Sequence, residues 1–168
     1  MRPSDPRATP WKSSPFRTEL RALYDRVDAL LAPWSCDAST ACCRFGVTGR
    51  EPYPTPVEVK ELTHAIRAHG GILSGKAKRP LPLVAGDASE KPCPLLGDDG
   101  RCRVYASRPF GCRTFFCERA VGPSKFPRQE IQALSRAVAD LAARMDPRDP
   151  HARPLTRVLS EILGREVG

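Results

Sequence analysis

The sequence predicts a mainly α-helical domain with a minor β component: about four helices around a cysteine-bearing β-hairpin and turn. Three observations carry that prediction. Apolar residues recur at three- and four-residue spacing in four separate segments. The seven cysteines fall into two groups, Cys36, Cys42 and Cys43 upstream and Cys93, Cys102, Cys112 and Cys117 downstream. Between Cys93 and Cys102, Gly97-Asp98-Asp99-Gly100 separates two short apolar runs, and Asp-Gly is a favoured hairpin pair.

Residues 1–15 carry four prolines and three basic residues and read as a disordered or loosely tethered arm. Residues 16–165 read as one domain, with a motif core over 34–118. In the first helix Phe16, Leu20, Leu23, Tyr24, Val27, Leu30 and Leu31 form one stripe that ends before Pro33. Thr55-Pro56-Val57-Glu58 starts the second, with Thr as N-cap, Pro at the first helical position and Glu closing a capping box. Val59, Leu62 and Ile66 line its buried face, and Gly70-Gly71 stops it. Residues 72–91 read as a long surface loop, with one short strand at Leu81–Val84. Ile131, Leu134, Val138, Leu141 and Met145 mark a third helix, and Leu155, Val158, Leu159, Ile162 and Leu163 a fourth.

A chain of 168 residues can bury a core without cross-links. No run of about 18 apolar residues occurs and the first residues lead into no apolar signal region, so the expectation is a cytoplasmic protein with no membrane span. Thiols there stay reduced, and an odd cysteine count fits full pairing poorly, so metal binding or catalysis is the expected use. The net charge of +8 invites a nucleic-acid reading, yet residues 101–128 hold six Arg and one Lys against one Glu, beside three of the cysteines. Such charge can instead neutralise an all-thiolate metal site and lower its thiol pKa values.

In a hairpin pairing Leu96 with Arg101, Cys93 and Cys102 point to one side as diagonal neighbours. Pro109 is placed to open a short helix with Cys112 in its first turn, where the backbone dipole favours a thiolate. Cys117 reads either as a further ligand or as a buried small hydrophobe or resolving thiol. Cys42 and Cys43 would point oppositely in an extended segment, so one ligates while the other packs inward, unless a turn lets both reach a cluster. His64, His69 and His151 show no ligand spacing and read as surface or helix-end residues.

The order of these motifs resembles the YkgJ-type cysteine-cluster family (CxxCxxCC), described as zinc- or iron-chelating. The likeness rests on Cys93-Pro94-Leu95-Leu96, on Gly100-Arg101-Cys102-Arg103-Val104-Tyr105 and on Arg108-Pro109-Phe110-Gly111-Cys112-Arg113. It departs at Ser39, which stands where that family's second cysteine would be. A Ser hydroxyl is a poor ligand for zinc or for an iron–sulfur cluster. Either that position is not a ligand, or Cys117 substitutes, or this chain binds metal less well. The resemblance extends distantly to flagellin lysine N-methylases, although no Gly-rich strand-to-helix turn for a nucleotide-like cofactor is present.

The expected function is therefore a metal-binding cysteine-cluster domain. Cys36, Cys42 or Cys43, Cys93, Cys102 and Cys112 converge on a zinc ion or an iron–sulfur cluster, and the domain acts through a protein partner. One alternative is a redox or protein-modifying enzyme. The other is a nucleic-acid-binding metal module using Arg101, Arg103, Arg108, Arg113 and Arg119; it lacks the aromatic interleaving of a single-strand platform apart from Phe110, Phe115 and Phe116, which the core can equally claim.

Overall fold

Thr55 and Glu58 start the helix on which the other elements are mounted. The Glu58 carboxylate accepts the Thr55 amide and the Thr55 hydroxyl, both at 2.8 Å, and Pro56 occupies the first helical position. The computed structural model describes residues 10–35, 40–70, 91–115, 122–123 and 125–166, with side chains to residue 162. The described residues contain six helices: α1 Pro15–Leu31, α2 Phe45–Thr48, α3 Pro56–Ala68, α4 Phe110–Arg113, α5 Arg128–Met145 and α6 Leu155–Glu166. The four long ones are those the apolar spacing predicts, and α4 is the short helix expected after Pro109.

Two hydrophobic clusters lie on different parts of α3. The first joins Leu20, Leu23, Tyr24, Val27 and Leu31 of α1 to Leu134, Val138, Leu141, Ala142 and Met145 of α5, with Val57 and Phe110 between them. The second joins Leu62, Ala65 and Ile66 of α3 to Leu155, Val158, Leu159 and Ile162 of α6, and to Phe45, Cys93, Leu95 and Val104. At roughly 1.5–3 kcal/mol for each large apolar side chain removed from water, either cluster outweighs any single polar contact in the fold. α6 is tethered to the connector before α3. Leu155 donates its amide to the Pro52 carbonyl at 3.0 Å, and the Glu51 carboxylate accepts the Thr156 amide at 2.6 Å, satisfying a helix-start donor.

The described residues contain no β-strand, which overturns the cysteine-bearing hairpin. Leu96 and Cys102 form one isolated antiparallel bridge, one residue out of the expected Leu96–Arg101 register. The reason is local. Gly100 adopts φ +74° and its amide bonds the Gly97 carbonyl at 3.0 Å, while Gly97 donates to the Arg101 carbonyl at 2.8 Å. These contacts make a three-residue loop with a left-handed glycine rather than a two-residue Asp-Gly turn. Pro94 supplies no amide donor, and the Leu96 amide turns back to the Cys93 carbonyl at 2.9 Å, so pairing cannot extend.

Part of the expected N-terminal arm is docked instead. Trp11–Ser13 forms a 3-10 turn, the Trp11 indole packs on the first cluster, and its Nε1 donates to Glu61 at 2.9 Å. Cys36, Ser39, Cys117, Phe116 and Arg119 lie outside the described residues, as do the Leu81–Val84 strand and nearly all of the 72–91 loop. No helix among the described residues is long and apolar enough to cross a membrane.

Candidate metal centre

The two cysteine groups meet through the backbone. Thr40 takes a left-handed conformation, φ 59°, and starts a 3-10 turn over Ala41–Cys43. After that turn, Arg44 bridges Pro92 in antiparallel fashion. The Cys93 amide donates to the Cys43 carbonyl at 2.7 Å, and the Phe45 amide to the Lys91 carbonyl at 3.2 Å. The Gly97–Gly100 loop then returns Cys102 to the same region, and Val104–Ser107 leads into α4 with Cys112. Cys43, Cys93, Cys102 and Cys112 all pack in the second cluster beside α3 and α6.

Because Cys42 and Cys43 sit in a turn, they do not diverge as they would in a strand. Their Sγ atoms are 3.8 Å apart. Cys42 is exposed, Cys93 is buried, and Cys43, Cys102 and Cys112 are half-buried. Cys42 and Cys112 also share the wall of an open cleft, with Arg50, Tyr53, Lys91 and Phe115 among its other lining residues.

The thiols feel one another's charge. Burial pushes the Cys93 thiol up to about 11, and the neighbouring Cys102 and Cys42 add to the rise. Burial likewise raises Cys112, with Cys93 and Cys102 reinforcing it, so the short helix start does not favour its thiolate as expected. Cys102 is raised for the same first reason. Cys43 is pushed up by its hydrogen bond to Cys42 and then by burial. Cys42 moves the other way, down to about 6, chiefly through the hydrogen bond from Cys43, with the Arg108 charge assisting against burial. A set of soft sulfur donors whose ionisation is opposed by burial and by like charge is one that a bound cation would favour.

The donor chemistry therefore fits zinc or iron. Among the described residues, no group of three His, Cys, Asp or Glu side chains is placed to hold an ion as they stand. A metal would have to draw the thiols inward, and Cys36 and Cys117 are the remaining sulfur donors. His69 is engaged at the end of α3, its Nδ1 2.9 Å from the Ala65 carbonyl, as a helix-end residue. His151 is exposed.

The arginines beside the cysteines divide into two kinds. Arg108 lies with its guanidinium 3.7 Å from the Tyr105 ring centroid, and its charge favours the thiolates of Cys42, Cys102 and Cys112. Arg113 is buried and structural. It pairs with Asp28, donates to the Arg108 carbonyl at 2.8 Å and the Ala106 carbonyl at 2.6 Å, and lies 4.0 Å over the Tyr24 ring. Phe110 is claimed by the first cluster.

The capping box identifies Glu58 but not that it and Glu61 form a buried acid pair. Glu58 and Glu61 are 2% and 0% exposed. Besides Trp11, Glu61 accepts Arg17 Nε at 2.7 Å and the Ser107 hydroxyl at 3.0 Å. Burial raises the Glu61 carboxyl, but the bonds from Arg17, Trp11 and Ser107 outweigh it and hold the group below its ordinary range. The available signal was spacing: Glu58, Glu61, Leu62 and Ala65 share one helix face, and acids on a buried stripe need partners.

The family model CxxCxxCC, described as "Putative zinc- or iron-chelating domain", matches residues 35–135, the span that contains every cysteine of both groups. No curated protein and no solved structure matches the chain.

Proposed function

Because the chain belongs to the CxxCxxCC family of zinc- or iron-chelating domains, we propose that it binds one zinc or iron centre through thiolates contributed by both cysteine groups. Cys93, Cys102 and Cys112 downstream, with Cys36 and Cys42 or Cys43 upstream, offer five thiolates, of which four ligate a tetrahedral zinc ion or an iron–sulfur cluster. The observation that carries this reading is the bond from the Cys93 amide to the Cys43 carbonyl at 2.7 Å, which fastens the two groups to each other. When bound, zinc supplies a redox-inert closed site, and an iron–sulfur cluster an electron-transfer site; sulfur donors serve both. The residues around the thiols act on their charge and position: Arg108 favours the thiolates, and the second cluster shields Cys93 from water. The domain so loaded acts through a protein partner.

Anaerobic purification followed by elemental analysis and an absorption spectrum tests the reading. Stoichiometric zinc in a colourless protein, or iron with the broad visible absorption of a sulfide cluster, is the expected result. Cys93→Ser and Cys112→Ser should each lower metal content. Wild-type metal content in both variants overturns the ligand assignment.

A further inference from the structure

Glu58 of α3 reaches in two directions. Its Oε2 caps its own helix through the Thr55 amide and hydroxyl, each at 2.8 Å. Its Oε1 accepts the Tyr24 hydroxyl at 3.1 Å and the Phe110 amide at 2.6 Å. Phe110 opens α4, and an amide at a helix start has no carbonyl of its own helix to bond. One carboxyl group thus joins the start of α3 to the start of the turn that carries Cys112. The Cys112 amide bonds the Pro109 carbonyl at 2.9 Å, so the thiol follows the placement of that turn. A helix of four residues does not hold itself in water, and its position is set by what it is tied to.

We infer that Glu58 is a positioning residue for the metal centre, acting on metal affinity through the backbone of α4 and hence through Cys112. This rests on the proposed metal binding. Partners that orient a metal's ligands are typically worth 10–100-fold in affinity. Burial leaves no alternative acceptor for the Phe110 amide, because water does not reach a carboxyl group that is 2% exposed.

The test compares wild type, Glu58→Gln and Leu134→Ala; the last thins the first hydrophobic cluster, which holds no thiol. Zinc affinity is measured by competition with a chromogenic chelator, at a temperature where every variant is folded. Glu58→Gln should bind zinc 10–100-fold more weakly, and Leu134→Ala should bind as wild type does. In the metal-free protein, mass-resolved alkylation by N-ethylmaleimide should speed up several-fold at Cys112 in Glu58→Gln, with Cys93 unchanged. Should Glu58→Gln fail to fold, Tyr24→Phe removes one donor to Oε1 and should shift both readouts in the same direction by less. Wild-type affinity and wild-type Cys112 alkylation in the glutamine variant overturn the inference, as does equal weakening in Leu134→Ala. A wild-type protein that binds neither zinc nor iron overturns the metal reading itself, and Cys112 alkylation alone then decides whether Glu58 positions the turn.

Discussion

The amide of Cys93 donates to the carbonyl of Cys43 across 2.7 Å, and this short antiparallel contact fastens two cysteine groups that are distant in sequence. The bond joins main chain to main chain, so it does not depend on the thiols being ionised. Cys43 and Cys93 are therefore held together independently of metal.

Chelating the metal should leave the helical circular-dichroism signal nearly intact while lowering Tm. The first hydrophobic cluster contains no thiol, and four long helices stand on apolar packing. A metal present at 100 times its Kd stabilises by about 2.7 kcal/mol, and that contribution is lost on removal. Loss of most helical signal on chelation would mean that metal organises the whole fold.

Among the described thiols, Cys42 should be the first of the metal-free protein to react. It is exposed, and its pKa is drawn down to about 6 by Cys43 and Arg108, so its thiolate predominates at pH 7. Iodoacetamide labelling across pH 5–10, read by mass spectrometry, should show a midpoint near 6 at Cys42. Cys93 should stay almost unlabelled below pH 9, and equal rates at the two sites at pH 7 would contradict the electrostatic picture.

Stability of the metal-free protein should fall as pH rises from about 9 to 11. The Cys93 thiol keeps its proton in the folded protein up to about 11, whereas in the unfolded chain it ionises near its ordinary value of 9.0. Over that window the unfolded chain binds fewer protons, so its population is favoured; below the window the contribution is fully present. Two pKa units correspond to on the order of 2–3 kcal/mol, with Cys102 and Cys112 shifting in the same direction. Urea unfolding at pH 7.5 and pH 10.5 measures the slope, which should be shallower in Cys93→Ser.

Arg113→Ala should cost about 3 kcal/mol, because it leaves the Ala106 and Arg108 carbonyls short of a donor and empties the face of Tyr24. Arg113→Lys should recover little, since an ammonium cannot reproduce the planar fork. Arg101→Ala, on an exposed turn, should fall within about 0.5 kcal/mol of wild type in the same unfolding assay.

Gly122→Ala should destabilise by roughly 1–3 kcal/mol through overpacking. A Cβ at that position would lie 2.1 Å from the Trp34 ring carbon Cδ1, so the indole has to move. Trp34 also meets Phe126 edge-on at 5.5 Å, and its fluorescence should report the displacement. An unchanged emission spectrum with unchanged stability would show that the ring yields freely.

The long helices were legible because their signals are local. The three- and four-residue spacing from Leu20 to Leu31 and from Leu134 to Met145, and the capping box at Thr55 and Glu58, need nothing beyond neighbouring residues to take effect. Pro109 announced α4 for the same reason. The expected hairpin fails, leaving one isolated bridge, because the choice between a two-residue turn and a three-residue loop rests on Gly100 adopting a left-handed conformation. Pro94, visible all along, had already denied the ladder a donor.

Residue types, their order and their periodicity belong to the chain alone, and they suffice for the family, the sulfur donors and the four long helices. Three-dimensional packing is what gives Cys43 and Cys93 a shared backbone contact, and what engages Arg113 with Asp28, two carbonyls and Tyr24 rather than with a ligand. It also decided that a capping glutamate reaches on to Phe110. Cys43 and Cys93, Arg113 and Asp28, and Glu58 and Phe110 are each tens of residues apart, and the buried Arg113 and Glu58 side chains have no water as an alternative partner. Such a pairing depends on which surfaces the packed helices bring together, and no local spacing encodes it.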